Sequence, residues 1–236
     1  MLRRTPLVTE ETYHIYNRGA SKQRIFTTEG DYDRFLSLLY LTNSNQPINY
    51  RNVWSKYKGR SLRDFFREES RVPALVEVLA YALMPNHFHL VLRQKTDEGV
   101  TKFMRKLATG YSMYFNLIHQ HSGVLFQGRF KSSHIGTDSY FRYIFSYVHL
   151  NPLDIVVPDW KDGAISNPNK ARKFLADYRY ASYRDYCVGE RPERAILSYD
   201  AAPDFLKTDN DIEEMLEDYT KGRILHSEAL TEDGPR

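Results

Sequence analysis

Residues 84–92 read MPNHFHLVL. In an extended chain successive side chains point to opposite faces of a sheet, so Phe88, Leu90 and Leu92 share one face while His87, His89 and Val91 share the other. The apolar face asks for helices to cover it. The opposite face then carries two imidazoles at i and i+2, close enough to ligate one cation. Spacing alone leaves two readings open, a metal pair or histidines satisfied by neighbours or by solvent.

The segments on either side agree with a strand. ALVEVLAYALM (74–84) is a second strand-like run, joined to HFHLVLRQ (87–94) through the turn dipeptide Pro85-Asn86, which predicts an antiparallel pair. Beyond Thr96-Asp97, the positions Val100, Phe103, Met104, Leu107, Tyr111, Tyr114, Phe115 and Ile118 follow helical spacing. Upstream, TYHIYNRG (12–19) reads as a first strand ended by Gly19. TTEGDYDRFLSLLYL (27–41) then supplies capping residues followed by apolar positions at helical intervals. Downstream, GVLFQGRFKSSHIG (123–136) predicts a further strand or extended arm. Thr137 or Asp138 caps a helix, SYFRYIFSYVHLN (139–151), which Pro152 stops. The order β, α, β, β, α, β, α predicts an α+β fold: an open antiparallel sheet with helices on one face, ferredoxin-like or RRM-like in the broad sense.

Two segments stand outside this rhythm. Residues 42–72 are polar and read as an insertion, partly helical at 60–69. Seven basic residues between Arg51 and Arg71 face only Asp64, Glu68 and Glu69. A solvated surface and a nucleic-acid contact both account for that. Past Pro152 the periodicity weakens, and residues 156–236 read as a C-terminal extension ending in the charged helix NDIEEMLEDYTKGR.

Composition narrows the class. At 236 residues with 42% hydrophobic content the chain can bury one sizeable core. A single cysteine, Cys187, excludes an internal disulfide and a thiolate metal cluster, and fits a reducing, cytoplasmic setting. No apolar run approaches the roughly 18 residues of a membrane helix, and the arginines at the start precede no signal-type apolar stretch. The net charge of +3 is unevenly spread: residues 209–236 hold nine acidic side chains against Lys221, Arg223 and Arg236, leaving the first 208 residues at +9. A polyanionic partner suits such a body.

A partner for the histidines lies in YVHLNP (147–152), where Tyr147 and Asn151 stand one helical turn apart. If that face docks over the histidines, Asn151 offers an amide oxygen to the metal and Tyr147 a hydroxyl to a group the metal polarises. Asn151 as a simple helix terminator and Tyr147 as one of 18 packing tyrosines remain equally open here.

Taken in order, YHIYNRG, LMPNHFHLVL, GVLFQGRFKS and YFRYIFSYVHLNP, with YRYASYRDY as a weaker fifth element, resemble the single-tyrosine HUH transposases, and most closely their REP-associated tyrosine transposase branch. The resemblance implies an HUH endonuclease-type palm, with an IS200-like domain over residues 9–155. It implies that His87 and His89 bind Mg2+ or Mn2+, with Asn151 as a third, polar ligand. Tyr147 would attack a phosphodiester in single-stranded or hairpin DNA, leaving a 5′-phosphotyrosine link and a free 3′-hydroxyl that later rejoins. Arg18, Arg129 and Lys131 fall inside the matching motifs as candidate phosphate contacts. The alternatives are a domesticated relative that binds structured DNA or RNA without cutting it, and a metallohydrolase in which Tyr147 is structural. Monomer and homodimer are both compatible with the family. The 42–72 insertion, and RYAS where relatives often carry a tryptophan before the serine, depart from the pattern and bear on which DNA is recognised.

Overall fold

Four strands, β1 (Thr12–Arg18), β2 (Val76–Met84), β3 (His87–Gln94) and β4 (Lys131–His134), form one sheet in the order β2-β3-β1-β4, with every neighbouring pair antiparallel. The computed structural model describes residues 6–47, 50–57, 64–66, 74–163, 165–208 and 210–221. Register follows the pleat. His87 faces Arg18 on one side and Met84 on the other, and His89 faces Tyr16 and Ala82, so these residues share a face. Phe88, opposite Asn17 and Leu83, lies on the other face.

The face carrying Phe88 is closed by α1 (Glu29–Leu41) and by α3 (Gly99–Ile118); α2 (Tyr50–Tyr57) comes between them in the chain. Asp31 starts α1 by accepting hydrogen bonds from the Thr27 and Thr28 amides at 2.9 and 2.8 Å. Phe35 on α1 meets Phe88 at 5.1 Å between ring centroids and Tyr111 on α3 at 5.0 Å, tying both helices to the sheet. Of the stretch read as an insertion, Phe65 and Phe66 are buried and pack on Tyr40 at the end of α1. The rest of the helix expected at 60–69 lies outside the described residues.

The α+β class agrees with expectation, but the layering differs. Helix α4 (Asp138–Leu150), capped where Thr137 Oγ1 accepts from the Tyr140 amide, lies on the histidine face, so helices cover both sides of the sheet rather than one. Apolar periodicity tells which side of a helix is buried, not which side of the sheet its connecting loop takes it to. The extended run 123–136 pairs as a strand only over its last third, and Asn151–Ile155 continue past Pro152 as a 3-10 turn.

The C-terminal residues serve the same core. Helices α5 (Pro168–Asp177), α6 (Tyr183–Cys187) and α7 (Asn210–Thr220) follow α4. Tyr180, Ala181 and Ser182 run along the outer edge of β2, with Leu83 N–H donating to Tyr180 O and Ser182 N–H to Tyr81 O, each at 2.9 Å. That covers an edge which would otherwise expose unpaired backbone groups. The buried Asp185–Arg191 pair, at 2.8 Å, holds this segment against the Tyr81 hydroxyl, and Arg142–Asp211, at 2.6 Å, fastens α7 to α4.

Candidate functional site

Antiparallel pairing of β1 with β3 gathers the polar residues at one place on the sheet. His14 and His89 stack with ring centroids 4.9 Å apart, and a hydrogen bond of 2.7 Å joins His14 Nε2 and His89 Nδ1. With Nδ1 used in this way, His89 keeps Nε2 buried and free of a hydrogen-bond partner. His87 stands beside it at 5.2 Å, its ring perpendicular. Helix α4 then lays Tyr147 edge-on against His89 at 5.6 Å and against His14 at 6.3 Å. The helical turn separating Tyr147 from Asn151 carries the Asn151 amide oxygen to 3.2 Å from His87 Nε2.

Burial fixes the charge state of the rings. It drives the His14 pKa down to about 3, that of His87 to about 4, and that of His89 well below the ordinary histidine value. All three are therefore neutral at neutral pH, the form in which imidazole ligates metal.

A neutral ring carries one proton, yet His87 meets oxygen acceptors at both nitrogens: Asn86 Oδ1 at 2.7 Å from Nδ1, and Asn151 Oδ1 at Nε2. His89 Nε2 and Asn151 Nδ2 are buried with no hydrogen-bond partner. Turning the Asn151 amide over would satisfy His87 and strand the oxygen instead. Unpaired buried polar atoms cost about 1–3 kcal/mol each, so a cluster with two of them fits a group that would engage them. Two imidazole nitrogens and an amide oxygen match the donor set of a divalent cation. Among the described residues no three His, Cys, Asp or Glu side chains come together to hold a metal, which leaves the amide as the third protein donor.

Beside this cluster opens a cavity of about 230 Å³ lined by Arg18, Lys22, Asn86, His87, Tyr147, Asp154 and Lys161. Arg18 enters because it sits opposite His87 in the sheet. Lys22 is returned to the same place by the turn after β1, where a Cβ on Gly19 would lie 2.1 Å from the Gln23 carbonyl oxygen and only glycine fits. Lys161 lies over the Tyr147 ring, its ammonium 5.1 Å from the centroid, and pairs with Asp154 at 3.2 Å.

Of the residues singled out in the sequence, His87, His89, Tyr147, Asn151 and Arg18 therefore converge. Arg129 and Lys131 do not line the cavity; both are exposed, the second at the start of edge strand β4. Four residues of the site were not singled out, and one of them, Lys22, carries no signal beyond its place in the loop after the first strand. His14 was visible only as part of YHIYNRG, where nothing marked its face as that of the histidine pair. Asp154 and Lys161 lie where the sequence loses periodicity, and no local signal points to either.

Residues 46–151 match the family model described as transposase IS200 like. This stretch runs from the segment read as an insertion through β2 and β3 to Asn151, so it takes in both histidines and Tyr147 and omits β1 and α1. No curated protein matches the chain. Among solved structures the chain is similar to a REP-associated tyrosine transposase bound to a REP hairpin, with 14% identity, a TM-score of 0.47, and coverage of 86% of this chain and 92% of that one. No helix among the described residues is long and apolar enough to cross a membrane.

Proposed function

Starting from an IS200-like transposase region that includes His87, His89, Tyr147 and Asn151, we propose that the protein cleaves and rejoins single-stranded or hairpin DNA through a covalent tyrosine link. The observation that carries this reading is the position of Tyr147, packed on His89 at the wall of a cavity lined by three cationic side chains. Phosphodiesters are anionic, and Arg18, Lys22 and Lys161 supply the charge that would seat one beside the tyrosine.

His87, His89 and Asn151 would hold a divalent cation, Mg2+ or Mn2+. When bound, such an ion neutralises charge on the phosphate oxygens and orients the phosphorus for attack. The chain itself supplies the nucleophile. A free phenol, near pKa 10, reacts poorly at neutral pH and needs a cationic setting. Tyr147 Oη forms a bond to phosphorus as the bond to the 3′-oxygen breaks; the phenol proton passes to solvent and the departing oxygen takes one up. A 5′-phosphotyrosine and a 3′-hydroxyl result. Attack by a 3′-hydroxyl reverses the step, and because the covalent link conserves the energy of the broken bond, no nucleotide cofactor is needed. His14 holds His89 by its second nitrogen, the usual way a ligating imidazole is oriented. Arg129 and Lys131 extend the basic surface toward β4. The lone cysteine suits the reducing cytoplasm.

Covalent trapping tests the reading. Purified protein is mixed with single-stranded oligonucleotides from the flanks of its own gene, with and without Mn2+, and resolved on a denaturing gel beside Tyr147→Phe. The expected result is a metal-dependent protein-DNA adduct that the variant does not form. Cleavage without adduct would instead assign a hydrolase, and tight binding without cleavage a non-cutting DNA-binding protein.

A further inference from the structure

We propose that Lys161, anchored by Asp154, is a positioning residue for Tyr147 and the third cation of the phosphate cavity, an assignment that rests on the tyrosine chemistry above. It lies ten residues past the stretch that matches the family model, in a 3-10 turn belonging to the C-terminal part of the chain.

The segment that delivers it is firmly built. Trp160 is fully buried, 6.4 Å from the Tyr147 ring on one side and 4.8 Å from Tyr219 of α7 on the other. Backbone hydrogen bonds from Val157 to Leu153 and from Trp160 to Val157 carry the chain directly from the end of α4 to this point. Asp154 is the one carboxylate of the cavity, and both its oxygens are engaged, Oδ1 by Trp160 Nε1 at 2.5 Å and Oδ2 by Lys161 Nζ at 3.2 Å. Engaged in this way, Asp154 fixes the lysine over the tyrosine and leaves Arg18, Lys22 and Lys161 to dominate the field in the cavity.

Burial by itself would lower the Lys161 pKa, but Tyr147 and Asp154 outweigh it and hold the pKa above the ordinary lysine value, so the ammonium keeps its charge. A fixed positive charge at this place does two things for the proposed reaction. It holds the tyrosine ring and hydroxyl in one orientation, and it meets negative charge as it develops on the phosphate and the attacking oxygen.

The test is single-turnover adduct formation over a range of oligonucleotide concentrations, comparing the parent with Lys161→Met, Lys161→Arg and Asp154→Asn, with thermal melting of each. Lys161→Met should lower the saturating rate about 100-fold. The half-saturating concentration should move within about threefold, since one of several phosphate contacts is lost. Lys161→Arg, which keeps the charge, should recover most of the rate, and Asp154→Asn should fall between. Rates for Lys161→Met equal to the parent would overturn the assignment while leaving the tyrosine chemistry standing. Equal losses in Lys161→Met and Lys161→Arg, in step with lowered melting temperatures, would make the lysine a packing residue only. A parent protein that forms no Tyr147-dependent adduct would overturn the functional reading and this inference with it.

Discussion

Phe88 and His89 are neighbours in the chain and belong to opposite sides of one sheet. On the Phe88 side, Phe35, Tyr111 and Phe88 interlock, and the cover supplied by α1 and α3 is mainly apolar and aromatic, with its buried carboxylate, Asp31, fully hydrogen-bonded. On the His89 side His14, His89 and Asn151 are buried and His87 partly so, and two of their polar atoms, His89 Nε2 and Asn151 Nδ2, lack partners. Buried apolar area stabilises the first face; the second keeps polar groups dry at a cost. A sheet can therefore divide its labour between faces, one holding the fold together and the other holding reactive groups in a single geometry.

Exchanging the roles of the two faces gives the largest expected effects. Tyr147→Phe and His89→Ala should each abolish adduct formation, a loss of at least about 10³-fold, while leaving the fold intact by circular dichroism. If either variant kept a tenth of the parent rate, the histidine face would not be the reacting face. Phe88→Ala should do the reverse, costing about 3–5 kcal/mol in urea unfolding because it empties a fully packed site. A cost below about 1 kcal/mol there would dissolve the distinction between the faces.

Acid should sharpen the comparison. The folded pKa of His14 and of His149 is near 3, that of His87 near 4, and that of His89 is well below normal, all through burial. Unfolded histidines titrate near 6.5, so below that pH the unfolded chain binds more protons and is favoured. The stability present above about pH 6.5 should thus fall as pH drops toward 4, by on the order of several kcal/mol at pH 5 for the four together. On the other side of the sheet, Asp31 is held near pKa 2: burial would raise it, but hydrogen bonds from His119, Thr27 and Thr28 prevail. Its contribution is present above about pH 4 and is lost only below that. A urea midpoint that did not change between pH 7.5 and pH 5 would contradict the neutral, buried state of the histidines.

The smallest effects test how far the basic surface runs. Arg129→Ala and Lys131→Ala should each weaken oligonucleotide binding by a few-fold and lower the salt slope by about one, with the saturating rate of adduct formation unchanged. No change in salt slope would confine DNA contact to the cavity mouth.

Much of this was legible in one dimension. Alternation in HFHLVL assigns its residues to two faces, Pro85-Asn86 makes β2 and β3 a hairpin, and the spacing of Tyr147 and Asn151 puts both on one helix face. These are short-range regularities, because pleat and helix repeat over two to four residues. The one-face layering did not hold, since a loop of a few residues between β4 and α4 decides the side of the sheet and leaves no periodic signal. The C-terminal stretch YRYASY read as weakly patterned because its extended residues pair at an edge rather than forming a regular element of their own.

What the sequence determined by itself was a set of local geometries: a histidine pair on one strand face, a tyrosine and an asparagine one turn apart, and a basic body. Only the tertiary structure decided that these meet. Strand pairing sets His14 against His89, packing of α4 on the opposite side of the sheet from α1 and α3 sets Tyr147 against both, and the buried Trp160 brings Asp154 and Lys161 to the same cavity. Each of those contacts joins residues far apart in the chain or in aperiodic segments, and it forms because burying apolar surface fixes where the elements dock.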